Sequence, residues 1–416
     1  MENSFPRLRN DLEFFPVQQG QQSFVLVKDH LGLVSQGTAV PIHLYQFMVH
    51  LDGTTSVRDL QMLMMRLKGG ILVGIQEVED ILKHLDESYL LDSPRFRAAR
   101  DEIVDGFISS HVRECVHVGQ SYPSDPDELE KYLDQILAQA NQDFSLPEGE
   151  LVAVVAPHID LQVGSQGYGA AYGLLRNFSP TRIIVLGVGH HLRDALFCLT
   201  EKDFETPLGK VRCERETVSR LRKVGGAAIH GDDFPHRSEH SIEFQVLFLK
   251  HIFGDKEFRV VPILCGSLWS CLTPCERSTY LNLAGGFLET LNEILCSSDE
   301  NTILLAGVDL SHIGPKFGHQ EHGSALEVEA RSHDHTLLDA LMTTQPEEFW
   351  SASIAVKDRY NVCGFSALAC MLETLPPSLG QLLHYEMWHE APTHSAVSFC
   401  AAALFTPSRT APQEPH

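Results

Sequence analysis

Apolar and polar positions follow two different rhythms along this chain. Between residues 105 and 407, short runs rich in Val, Ile and Leu recur: LVAVVA from Leu151, RIIVLGV from Arg182, FRVVPILC from Phe258, TILLAGV from Thr302 and AVSFCAAALF from Ala396. Runs of this length with no polar alternation predict strands buried on both faces. Between them lie stretches with apolar positions at helical spacing, such as DELEKYLDQILAQA and SIEFQVLFLKHIF. Strands alternating with helices predict an α/β domain, a mostly parallel sheet covered by helices.

Residues 1–104 have a different pattern and are expected to form a separate module. SFVLVKDHLGLVSQ predicts a short hairpin, and PIHLYQFMVHLDG predicts a helix ended by Asp52 and Gly53. TTSVRDLQMLMMRL begins with hydroxyl residues placed to cap a second helix. A third is expected in GIQEVEDILKHLDESYLLD, where Val78, Ile81, Leu82 and Leu85 share one face. A hairpin with three short helices is the content of a small winged-helix-like α+β unit. The polar, proline-containing end, residues 408–416, is expected to be a disordered tail.

Length and charge narrow the function. A chain of 416 residues favours two domains. A net charge of −23 argues against a nucleic-acid partner and against adhesion to an anionic membrane. Within residues 1–104, acidic residues are at least as numerous as basic ones, so the winged-helix-like unit is not expected to read DNA. No apolar stretch is long enough to span a bilayer, and MENSFPRLRNDLEFF lacks the pattern of a signal peptide. The ten cysteines are scattered, several of them inside apolar runs (Cys198, Cys265, Cys370, Cys400). That usage suits a reducing compartment, so a cytoplasmic location is expected. Cys271 and Cys275 are spaced wrongly for a CxxC redox or zinc half-site.

The candidate chemistry lies where the apolar runs stop. In open α/β sheets, ligands bind beyond the carboxyl ends of the strands. Those ends carry PHID (His158, Asp160), GHH (His190, His191) and DLSH (Asp309, His312). One such histidine is commonly structural, but three strand ends delivering imidazoles or carboxylates to one edge point to a site. RSEHSIEFQVLFL adds Glu239 and His240 at a helix start, with His240 and Glu243 three apart on one face and Ser238 able to cap the helix. In RYNVCGFSALACMLETL, Cys363 immediately precedes an apolar helix, a position where backbone N–H groups favour a thiolate. Imidazole and thiolate together suit iron, copper or zinc. A dinucleotide-binding reading of LGVGHH fails, because Leu192 stands where GxGxxG needs its third glycine.

These segments are also recognisable together. HVGQSYPSDPDELEKYL, APHIDLQVGSQGYGAAYG, LGVGHH, EHSIEFQVLFL, DLSHIG and YNVCG, in this order, resemble the Memo family. Within that family the chain looks like the members called protein B of the AmmeMemoRadiSam system. The resemblance implies the fold of class III extradiol dioxygenases and a metal held by His158, His190 and Cys363. It implies catalytic or site roles for His312, Asp309 and His240, with Glu243 beside them, and a supporting role for His191. Two departures stand out. The extradiol enzymes use a carboxylate as third metal ligand where Cys363 stands here, which argues against ordinary catechol cleavage. PHID also replaces a tyrosine-containing loop of other Memo proteins. LYQFMVHLDGTTSVRDL and VEDILKHLDESYLL resemble the PqqD-like winged-helix modules that bind peptides for modifying enzymes.

The leading reading is a metalloenzyme, with iron or copper favoured over zinc. It would carry out redox or oxygen-dependent chemistry on a small-molecule or peptide substrate, with a radical SAM enzyme and other members of the same system as partners. In that reading His312 transfers protons, His240 orients or polarises bound oxygen or substrate, and Asp309 holds a histidine in place. A scaffold that holds a peptide or partner in the same cleft competes with it. So does a zinc-dependent hydrolase, which the thiolate mildly disfavours.

Overall fold

The computed structural model describes residues 5–19, 22–140, 144–254, 256–297 and 299–407. The expected tail at 408–416 lies outside the described residues. The chain divides into two compact units, residues 1–109 and 110–416. The helix Pro94–Ser109 runs past position 104, and the division falls at its end.

In the first unit three antiparallel strands, Leu12–Gln19, Gln22–Asp29 and Ala39–Pro41, are followed by helices Ile42–Met48, Val57–Leu67, Ile75–Glu87 and Pro94–Ser109. The three expected helices are present, and Ser56 caps the second by accepting from the Asp59 N–H. The hairpin differs from expectation. Its first strand is LEFFPVQQ, which carries Pro16 and so reads poorly as a strand. It is tolerated because this strand lies at the sheet edge, where a missing donor costs little. The Leu33–Val34 stretch, expected in a strand, forms a loop instead. The Asp29 carboxylate accepts from the N–H groups of Leu31, Leu33 and Val34 and is paired with Arg9.

The second unit is a mixed α/β domain built on a nine-stranded sheet. At its centre four strands run parallel, in the order Glu150–Ala156, Thr302–Gly307, Arg182–Val188 and Arg259–Cys265. All four were legible as apolar runs, because alternate residues serve opposite faces and both faces are covered. Ile184 and Leu186 join one core with Phe287, Leu368 and Trp350. Ile183 and Val185 join the other with Leu133, Tyr172 and Phe248.

The flanks are antiparallel. The fifth apolar run, Ser395–Thr406, pairs along its whole length with Leu379–Glu390, a strand that carries too many polar residues to stand out in the sequence. Its opposite edge takes Glu150–Ala156 along one half and the short strand Asp309–Ile313 along the other. DLSH is therefore part of a short strand of its own.

Helix His240–Phe253 lies close against the sheet, and Gly307 permits it. A Cβ there would meet Gln245 Nε2 and Ser241 O, both at 2.6 Å. No helix among the described residues is long and apolar enough to cross a membrane.

Candidate metal centre

Neighbouring strands of the parallel centre end side by side, and the residues just beyond them form the site. His158 follows Glu150–Ala156, His190 follows Arg182–Val188, and Asp309 follows Thr302–Gly307. His158 is 2% exposed, and its Nδ1 lies 2.9 Å from the Gly307 carbonyl. A carbonyl only accepts, so Nδ1 carries the proton and Nε2 becomes the electron-pair donor. Asp309 accepts from the backbone N–H groups of His158 at 3.0 Å and Ile159 at 3.3 Å. It thus holds His158 mainly through the main chain; the ring Nε2 is 3.6 Å from its other oxygen.

His190 is oriented by Glu239, a residue that the sequence brought to the candidate site at a helix start without a role of its own. The carboxylate lies 3.0 and 3.1 Å from His190 Nδ1 and accepts from the His190 N–H. It also accepts from the His240 and Ser241 N–H groups, making Glu239 rather than Ser238 the helix cap. One buried acid therefore fixes a tautomer and a helix end together. A carboxylate on the far nitrogen of a ligating histidine raises its donor strength. Replacing Glu239 by Gln should weaken binding of an added metal roughly 10- to 100-fold. Equilibrium dialysis against ferrous ion checks this; unchanged affinity would remove Glu239 from the centre.

Cys363 comes from the turn before helix Phe365–Thr374, with Sγ 3.6 Å from His158 Nε2 and 3.5 Å from the Asp309 carbonyl. Gly364 is needed at the next position, since a Cβ there would lie 2.5 Å from the same carbonyl oxygen. The helix start does not make this thiol acidic, contrary to expectation. Burial pushes its pKa well above the ordinary thiol value, and the Asp309 charge adds to the rise. A bound cation would reverse that balance.

The donor atoms of His158, His190 and Cys363 all lie within 4.8 Å of one another. Two imidazoles and one sulfur, with a carbonyl and a carboxylate behind the rings, match what a first-row transition ion requires.

The other candidates fall in different places. His240 stacks on His190, with ring centroids 4.9 Å apart, and meets His158 edge-on at 5.2 Å. Burial holds its pKa well below the usual histidine range. His312 bonds through Nδ1 to the Leu310 carbonyl at 3.0 Å, and burial pushes its pKa down to about 4. Both rings are thus neutral near pH 7, as proton acceptors must be. His191 is exposed and Glu243 lies outside the cleft. The Glu243 carboxylate pairs with Arg113 and accepts from Tyr122 and from the Val116 and His117 N–H groups. Sharing a helix face with His240 did not bring it to the site, because the segment 113–122 covers that part of the helix. The same segment adds a histidine that the motifs did not single out. His117 lines the cleft 5.7 Å from His240, ring to ring, with Nε2 3.2 Å from the Ser238 carbonyl.

All these imidazoles except His191, together with Cys363 and Asp309, line one cavity of about 860 Å³, whose walls include Trp269, Phe317 and Trp388. The sequence profile of Memo-like proteins matches residues 113–403, the stretch that builds this cavity. The chain belongs to the Memo family. A MEMO1 family protein of Aquifex aeolicus is 28% identical over 401 residues, covering 96% of this chain and all of its own. An alignment of that extent takes in the first unit as well as the second. A MEMO1 family protein of Thermus thermophilus is 30% identical over 331 residues, 79% of this chain and 93% of its own. The memo-1 homolog of Caenorhabditis elegans is 24% identical over 320 residues, 73% of this chain and 85% of its own.

Proposed function

We propose that this Memo-family chain is a cytoplasmic metalloenzyme that binds non-haem iron, or copper, through His158, His190 and Cys363. The observation that carries this is the convergence of three donor atoms within 4.8 Å at the wall of a large cavity. The Glu239 and Gly307 bonds support it, because they commit the Nδ1 of each imidazole and make Nε2 the donor. The sulfur favours iron or copper over zinc. When bound, such an ion would supply one-electron and oxygen chemistry. The chain's own groups then divide the remaining work. His312 accepts or returns a proton at Nε2, His240 orients the reacting group beside His190, and Asp309 keeps His158 in register. The substrate is a small molecule or peptide, brought by the PqqD-like first unit or by partners of the AmmeMemoRadiSam system, a radical SAM enzyme among them.

The test is metal analysis of full-length protein purified without oxygen. About one equivalent of iron or copper per chain is expected. Dioxygen uptake by the reduced, loaded chain should then fall by about 10²- to 10⁴-fold in His312→Gln, the loss typical of removing a general base. A chain that neither carries nor takes up these metals while remaining folded would overturn the proposal in favour of the scaffold reading.

A further inference from the structure

Two charged groups in the cavity wall make no ion pair among the described residues. Arg193 lines the cavity and makes no ion pair or hydrogen bond among the described residues. Its side chain is exposed, so the guanidinium is open to a ligand arriving from solvent. Asp358 also lines it, half-buried, and its carboxylate accepts one hydrogen bond, from the Val362 N–H at 3.2 Å. Among the described residues no lysine or arginine pairs with it, and burial pushes its pKa up to about 6. The remaining charges of the cavity are engaged within the protein. Lys316 pairs with Glu390 at 2.9 Å, and Asp160 accepts from the Gln162 and Val163 N–H groups of its own turn.

The segment that presents Asp358 is held against local preference. Lys357, Asp358 and Asn361 all have left-handed backbone, with φ of 53°, 57° and 47°. Asp and Asn enter that conformation more readily than other L residues, but Lys357 and Asp358 adopt it in succession, so the turn is constrained. Asn361 supplies part of that constraint, donating to the carbonyls of His312 at 3.1 Å and Phe317 at 3.2 Å. The turn that carries Asp358 is thereby tied to His312 at the candidate centre. Aromatic surface completes the wall. Of three tryptophans in the chain, Trp269 and Trp388 line this cavity, and Trp269 Nε1 is buried with no hydrogen-bond partner among the described residues.

We infer that the cavity binds a zwitterion with an apolar or aromatic body, an amino acid or a close derivative. Its ammonium would meet Asp358, its carboxylate Arg193, and its body the tryptophan-lined wall. A carboxylate desolvated without a cation is the costly element of an empty site, and a ligand ammonium removes that cost. A guanidinium without a partner is the complementary fork for a ligand carboxylate. This inference rests on the metal-centre reading in taking the same cavity as the reaction chamber, and it names the substrate class for it.

The test uses the full chain and its tryptophan emission, in both chelator-treated and iron-loaded protein. Four probes share one phenyl body: L-phenylalanine, 3-phenylpropionate, phenethylamine and 3-phenylpropanol. L-phenylalanine should bind about tenfold or more tighter than any of the others, as two charge-assisted contacts require. Asp358→Asn should lose about tenfold for L-phenylalanine and phenethylamine while leaving 3-phenylpropionate unchanged. Arg193→Gln should show the opposite pattern, losing L-phenylalanine and 3-phenylpropionate alone. A variant that merely misfolds would lose all four, and circular dichroism identifies it, so the crossed pattern in the other variant still decides. Equal binding of the neutral alcohol, no binding of any probe, or loss without charge selectivity would overturn the inference. Metal uptake is read separately. Selective zwitterion binding in a chain that takes up no metal would sink the metalloenzyme reading and leave this one standing.

Discussion

A Cys363→Ser chain is expected to fold normally and to lose iron or copper affinity by roughly a hundredfold or more, beyond the effect of removing an outer-shell partner. The fold should survive because the thiol contributes little to it. Its contacts are weak ones, to the Asp309 carbonyl at 3.5 Å and His158 Nε2 at 3.6 Å, and serine is smaller. The ion should be lost because the serine hydroxyl stays protonated and is a hard, poor donor beside two imidazoles. His158 and His190 would remain oriented by Gly307 and Glu239, so a weak two-nitrogen site should persist. The measurement is a competition titration of wild type and variant against a chelator of known affinity, with unfolding curves run in parallel. Equal affinities with equal stability would remove sulfur from the ligand set. Cys370→Ser is the control, since that cysteine is fully buried in the core.

The centre was legible in the sequence for a geometric reason. His158, His190 and Asp309 each follow a strand of an uninterrupted parallel core, and parallel strands end at one edge. The order of the strands was not needed to infer that the three meet. Glu239 was less legible, because its two tasks look alike in one dimension. An acid before a helix reads as a cap, and only the neighbouring strand end shows that the same oxygens reach His190. His117 and the Leu379–Glu390 strand were hidden by polarity: one comes from a loop without periodicity, the other from an edge strand. Glu243 shows the opposite limit. Helical spacing placed it beside His240, but spacing cannot show which other segment packs onto that face.

Replacing Glu243 by Gln should destabilise the second unit by about 3–5 kcal/mol, the cost of leaving a buried charge without its partner. Arg113 and Glu243 are 1% and 2% exposed at their side chains. Arg113 also donates to the carbonyls of His236 and Glu239, so it cannot turn to solvent without releasing the helix start. Replacing both members, Arg113→Met with Glu243→Leu, should recover only part of the loss. The Tyr122 hydroxyl and the Val116 and His117 N–H groups would still lack their acceptor.

The pH dependence gives a second reading of the same residue. Burial acts to raise the Glu243 pKa, but Arg113, His117 and the Tyr122 bond outweigh it and hold it below its ordinary value. A carboxylate depressed on folding stabilises fully above its unfolded pKa of about 4.3, and that stability is lost as pH falls through the folded value. Wild type and Glu243→Gln should therefore differ most near pH 7, begin to approach each other below the unfolded value of about 4.3, and converge only as the pH falls through the lower folded-state value in denaturant unfolding. If Glu243 instead moved protons at the centre, the variant would keep its unfolding midpoint and lose only turnover. The position of Glu243 behind the segment 113–122 argues for the stability loss, with the His117 wall of the cavity the first part to loosen.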